Sequence, residues 1–255
     1  MRRSSEPMLN VPPVVTATLL ALGLMHAVRV FLLSPRANTD VLLLFAFIPA
    51  RYDPVVVAQG VPGGIGAQVW TFVSYALIHG DLTHLGVNAV WFLAFGSAVA
   101  RRFGPLRFVV FFAVTAAAGA AMHLAAHFGE FVPMVGASAA ISGCMAAAIR
   151  FAFQHGGPLG LWRAHEAHAY HVPAAPLRHA LMDARILAFL LVWFGLNLLL
   201  GLGSLSLAGE EQEIAWQAHI GGFLAGLLLF PWFDPVGSAD DVGAGRGPDT
   251  AASPD

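Results

Sequence analysis

The chain has no lysine. All 13 of its basic residues are arginine, set against 15 acidic ones for a net charge of −2, so it offers no basic stripe for nucleic acid. Its single cysteine, Cys144, lies in an apolar run, which excludes an intramolecular disulfide and any CxxC metal or redox site. Charged residues are 11% of the chain and hydrophobic ones 57%. Several long apolar runs at that composition must sit in lipid rather than in one water-facing core. No internal repeat, inverted or parallel, is present, unlike the matched halves of many secondary transporters. The zinc-protease pattern HExxH is also missing, because "HEAHAYH" at 165–171 has histidine at its first and fourth positions rather than its fifth.

What is there reads as an all-α polytopic membrane protein. Windows of about 20 residues give six spans, near 12–33, 81–100, 106–128, 136–153, 185–203 and 215–233. The first follows "MRRSSEPM" without a small-residue cleavage pattern and reads as an uncleaved signal-anchor. Arg2, Arg3, Arg101, Arg102, Arg107, Arg150, Arg163, Arg178, Arg185 and Arg246 fall on one side of this arrangement, and Arg29, Arg36 and Arg51 approach the other. The positive-inside rule then makes both termini cytoplasmic. The expected organisation is a short segment 1–11, a membrane domain 12–233 and a disordered, Asp/Gly/Ala/Pro-rich tail 234–255. Within the domain, an outer loop at 34–80 carries an apolar, half-embedded stretch, "DVLLLFAFIPA". A cytoplasmic loop at 154–184 holds five histidines.

Polar groups inside the spans are costly unless partnered or used, so they locate the chemistry. "YALIHGDLTHLGVNAVWF" places His84 and Asn88 four apart, on one helix face, with His79 at the helix entry. "GASAAISG" carries Ser138 and Ser142, and "AWQAHIGGFLAG" carries His219 followed by Gly222 and Gly226. The small-residue stripes Ala139, Gly143, Ala147 and Gly222, Gly226 predict close packing of the fourth span on the sixth, bringing a serine to His219. A hydroxyl beside an imidazole is the arrangement for nucleophilic catalysis. Ser138 stands in the first helical turn, where free N–H groups face a developing oxyanion, while Ser142 lies one turn deeper and reads as bonded to its i−4 carbonyl. No acid lies in the later spans to orient the histidine, which argues for a Ser–His dyad. His79 reads as bracing its loop, His123 and His127 as membrane-edge residues, and the loop histidines as carrying no site.

These motifs together resemble the rhomboid intramembrane serine proteases. The matching features are Gly136-Ala137-Ser138 closed by Gly143, the His79, His84, Asn88 series, and Ala218-His219 followed by Gly222 and Gly226. The resemblance implies a six-helix rhomboid-like bundle in the bacterial inner (plasma) membrane, with Ser138 as nucleophile and His219 as base. It also implies an oxyanion hole of His84, Asn88 and the Ser138 backbone. The partners implied are the lipid bilayer and single-span transmembrane protein substrates, with no metal and no cofactor. The chain departs from many relatives at Thr71, where W-R is common, at Ala139 in place of glycine, and at Ser142, where an aromatic often sits beneath the base. The rival reading is a catalytically silent rhomboid-like binder or transporter of membrane clients.

Overall fold

The computed structural model describes residues 11–159, 166–201 and 215–236. Each of the six expected spans is built on a helix: α1 Pro13–Leu32, α2 Leu82–Phe103 and α3 Pro105–Ala126, then α4 Ser138–Ala148, α5 Ala184–Gly201 and α6 Trp216–Phe233. Among the described residues, α1, α2 and α3 are long and apolar enough to cross a membrane. Their starts are set locally. Pro13 and Pro105 open α1 and α3, where a missing N–H costs nothing, and the Asp81 carboxylate caps α2 by accepting from the N–H of His84 at 2.8 Å.

Two elements differ from the sequence expectation. The fourth span, expected over 136–153, is helical over only 11 residues, a rise of about 16 Å at ~1.5 Å per residue. Beyond Ala148 the regular helix gives way to turns, with the N–H groups of Arg150 and Phe151 donating to the carbonyls three residues back, and the carbonyl and guanidinium of Arg150 both bond Ala175 of the following loop, at 2.8 and 2.9 Å. The segment 34–80, expected as an outer loop, is mostly helical, at Pro35–Phe45, Pro54–Ala58 and Gly64–Ser74. Ser34 and Asp53 cap the first two by accepting backbone N–H groups, and Pro35 and Pro54 follow as first helical residues. Inside this loop Arg51 is buried and donates to the carbonyls of Leu43 and Pro62, while the Gln68 amide donates to the Arg51 carbonyl. A buried guanidinium thus ties the loop together, and the Thr71 hydroxyl donates to the Ala67 carbonyl within its own helix.

Helix α4 is the centre of the bundle, with every residue from Ala139 to Ala148 buried. Its alanines leave room for neighbours on all sides, and α3 and α6 pack against it and against each other. Helix α5 joins through Ile186, Leu190 and Trp193, which meet Met145 of α4 and Phe223 and Leu227 of α6. Leu20, Phe31, Leu106, Leu191 and Trp232 point outward, as lipid permits because it is as apolar as leucine. At the far end of α6, Asp234 forms a buried bidentate pair with Arg102 at 2.8 Å. Arg102 also donates to the carbonyls of Tyr170 and Val172. The first residue of the expected tail is therefore held in place. The rest of the tail from 237, residues 1–10, His165 and the acidic 210–213 lie outside the described residues.

Candidate active site

The N-terminal ends of α4 and α6 bring together two residues 81 positions apart: Ser138 Oγ lies 2.7 Å from His219 Nε2. Ser138 is the first residue of α4, so its own N–H and those of Ala139 and Ala140 have no preceding helical carbonyl. The closeness of the two helices comes from absent side chains. A Cβ on Gly222 would overlap the Ala139 backbone, and one on Gly226 would overlap the Gly143 backbone. Gly143 in turn faces Thr115 of α3, whose Cβ would stand 2.6 Å from an added one. Helix α3 contributes a further small position, Gly119, where a Cβ would meet the Cβ of Ala139 at 2.5 Å and the carbonyl of Ala218 at 2.9 Å. Gly119 was not singled out from the sequence, and the small-residue run "TAAAGAA" around it was the available signal.

The segment leading to Ser138 is fastened at three points. Met134 exchanges both backbone hydrogen bonds with Phe47 of the outer loop, at 2.8 and 3.0 Å. The Gly136 N–H donates to the Tyr75 carbonyl at 3.0 Å, and the Ala137 N–H donates to His79 Nε2 at 3.5 Å. Gly136 has φ +117°, and an added Cβ would stand 2.6 Å from His84 Nε2. Only glycine accepts that conformation and lets the imidazole come so near. His79 is fully buried, and its carbonyl accepts from Arg29 at 2.8 Å. It lies outside the six helices, and desolvation, reinforced by His84 nearby, pushes its imidazole down to about 3. It is therefore neutral and free to accept from Ala137.

The structure places His84 beside Gly136, with its ring 5.1 Å from that of His79. Asn88 is buried one turn on and donates from Nδ2 to the His84 carbonyl at 3.0 Å, which leaves it one amide hydrogen. Ser142 donates to the Ser138 carbonyl at 2.8 Å. The ring of His219 is held by a residue the sequence reading passed over: its Nδ1 is hydrogen-bonded to Asn197 Oδ1 of α5. Asn197 escapes a search for carboxylates. The signal it carries is a lone amide in the apolar run "GLNLLL", where a polar group needs a partner.

His123 and His127 are engaged elsewhere. His123 donates from Nε2 to the Val132 carbonyl at 3.2 Å. His127 donates from Nδ1 to Glu130 at 2.8 Å and accepts from Gln217 at 3.1 Å. Among the described residues no group of three His, Cys, Asp or Glu side chains is arranged to hold a metal ion. Comparison with individual curated proteins returned no match. The family profile of the Rhomboid domain matches residues 66–233, from the last helix of the outer loop to the end of α6. With well over half the chain matched and an apolar helical bundle beneath it, the chain belongs to the rhomboid family of integral membrane proteins.

Proposed function

We propose that this protein is an intramembrane serine endopeptidase that cuts single-span membrane proteins in or near their transmembrane helix. The observation that carries the reading is the 2.7 Å approach of Ser138 Oγ to His219 Nε2 at a helix N-terminus. A hydroxyl becomes a competent nucleophile when an adjacent base accepts its proton. Ser138 attacks the scissile carbonyl as its proton moves to His219 Nε2. The oxyanion faces the unpartnered N–H groups of the first turn of α4, and His84 and the remaining amide hydrogen of Asn88 add donors from α2. His219 then protonates the departing amine, leaving an acyl ester on Ser138. A water, deprotonated by His219, hydrolyses the ester and restores the serine hydroxyl.

The shortness of α4 supports the setting. At about 16 Å it covers roughly half of a ~30 Å hydrocarbon layer, so a helix ending near one face begins at depth. The arginine asymmetry, ten against three, supports cytoplasmic termini and a site that opens to the outer side. The test uses purified protein in liposomes with a single-span fluorogenic substrate and a fluorophosphonate probe. Wild type should cut and be labelled, while Ser138→Ala and His219→Ala should do neither and keep their thermal midpoints. The double variant should be no worse than either single one, because the pair acts as a unit. Substrate capture without cleavage or labelling by the wild type would favour a catalytically silent binder. Cleavage by Ser138→Ala would overturn the assignment of nucleophile.

A further inference from the structure

We propose that Asn197 is a positioning residue that holds His219 as the Nδ1–H tautomer, with Nε2 bare and aimed at Ser138. Its consequence for rate rests on the protease reading above. Its geometry does not.

The argument starts from what each atom is able to do. Asn197 Nδ2 donates to the Trp193 carbonyl at 2.8 Å, one turn back in α5. A carbonyl oxygen only accepts, so the nitrogen end of the amide faces Trp193 and the oxygen end faces His219. The amide oxygen also only accepts, so His219 Nδ1 carries the hydrogen. A neutral imidazole has one ring hydrogen, and Nε2 is left as a lone pair toward the Ser138 hydroxyl. This is the protonation state that a general base needs. An asparagine beside a catalytic histidine fails when its nitrogen end faces the ring and imposes the other tautomer. Here the Trp193 carbonyl holds the amide against that flip.

The packing of α5 on α6 sets the height at which amide and imidazole meet. The Trp193 ring stacks on Phe223, with centroids 4.9 Å apart. Four residues forward in α5 and four back in α6 lie Asn197 and His219, one helical turn from the aromatic pair in each helix. Both polar ends of Asn197 are satisfied inside an apolar helix, where an unpartnered amide is costly. The base is therefore oriented from α5, while the nucleophile belongs to α4. When His219 takes the serine proton, the amide oxygen faces the Nδ1–H of the imidazolium and stabilises it without a charge of its own.

Two measurements on the 255-residue chain test this. The first needs no activity: with ¹⁵N-labelled histidine in detergent micelles, the His219 signals are those absent from His219→Gln. In wild type Nδ1 should be protonated and Nε2 bare, and in Asn197→Leu a share of Nε2–H should appear. A wild-type Nε2–H, or signals unmoved by Asn197→Leu, would overturn the proposal. The second is steady-state cleavage. Asn197→Leu should lower kcat roughly 10- to 100-fold, the usual cost of removing a group that orients an imidazole, with KM little changed, and Asn197→Asp should recover most of the loss. Wild-type kcat in Asn197→Leu would equally refute it. If wild type itself cuts nothing, the protease reading falls, and the tautomer measurement alone decides the role of Asn197.

Discussion

Adding one methyl group at Gly222 would test how tightly the site depends on helix packing. The Cβ of an alanine there would stand 2.7 Å from the carbonyl carbon of Ala139 and nearer still to its oxygen. Comfortable contact needs about 3.5 Å and the oxygen is the nearest atom, so α4 and α6 would have to separate by more than ~1 Å. The obstruction is backbone and cannot rotate aside, and α4 is enclosed on every side. Ala139 adjoins Ser138, and Gly222 lies one turn from His219, so the separation falls on the 2.7 Å hydrogen bond itself. Stretched by that amount, it passes beyond ~3.5 Å and ceases to be one. A misplacement of about 1 Å costs on the order of 10²-fold in rate, while overpacking costs about 1–3 kcal/mol in stability. Gly222→Ala should therefore lose most of its cleavage rate and only part of its thermal stability, as read from initial rates in liposomes and unfolding midpoints in detergent. Gly226→Ala, against the Gly143 backbone one turn deeper, should lose comparable stability but less rate. Gly23→Ala, with nothing within 4 Å of its added carbon, should match wild type in rate. Wild-type rate and midpoint in Gly222→Ala would refute the packing argument.

Other parts of the molecule give independent tests. Ser142→Ala should keep most of the cleavage rate, since its hydroxyl bonds only the Ser138 carbonyl; a dead Ser142→Ala with Ser138 intact would reverse the roles of the two serines. Asp234→Asn should lower stability by about 3 kcal/mol or more, because it leaves the buried Arg102 fork without its counter-charge, and an unchanged unfolding midpoint in detergent would contradict that. His79 has a native value well below its unfolded one near 6.5, so the native state binds fewer protons between them. Its contribution is thus complete above pH ~6.5 and is lost as pH falls toward 3. His79→Gln, which keeps an acceptor for Ala137 without a titrating ring, should show a shallower fall in unfolding midpoint from pH 7 to pH 5 than wild type does.

The amino-acid order alone placed the six apolar helices, because lipid solvation acts on contiguous residues. It also brought forward Ser138, His219, His84 and Asn88, since a polar group in an apolar run stands out without any neighbour in view. It pointed to the stripes Gly143 and Gly222, Gly226, because small residues four apart on a helix have few other uses in lipid. Only the tertiary structure decided what lies across from them. Gly119 has ordinary local surroundings and becomes distinctive only through its contacts with Ala139 and Ala218, and Asn197, a lone amide in an apolar run, finds its partner His219 only there. Arg51 looks like a loop charge until the outer loop folds around it. The same holds for the length of α4. Its apolar sequence runs on to residue 153, and the helix stops at Ala148, where the carbonyl and guanidinium of Arg150 are taken by Ala175, 25 residues on. Hydrogen bonds between distant segments leave no trace in local hydropathy, and here they set where the helix ends and which way the His219 ring faces.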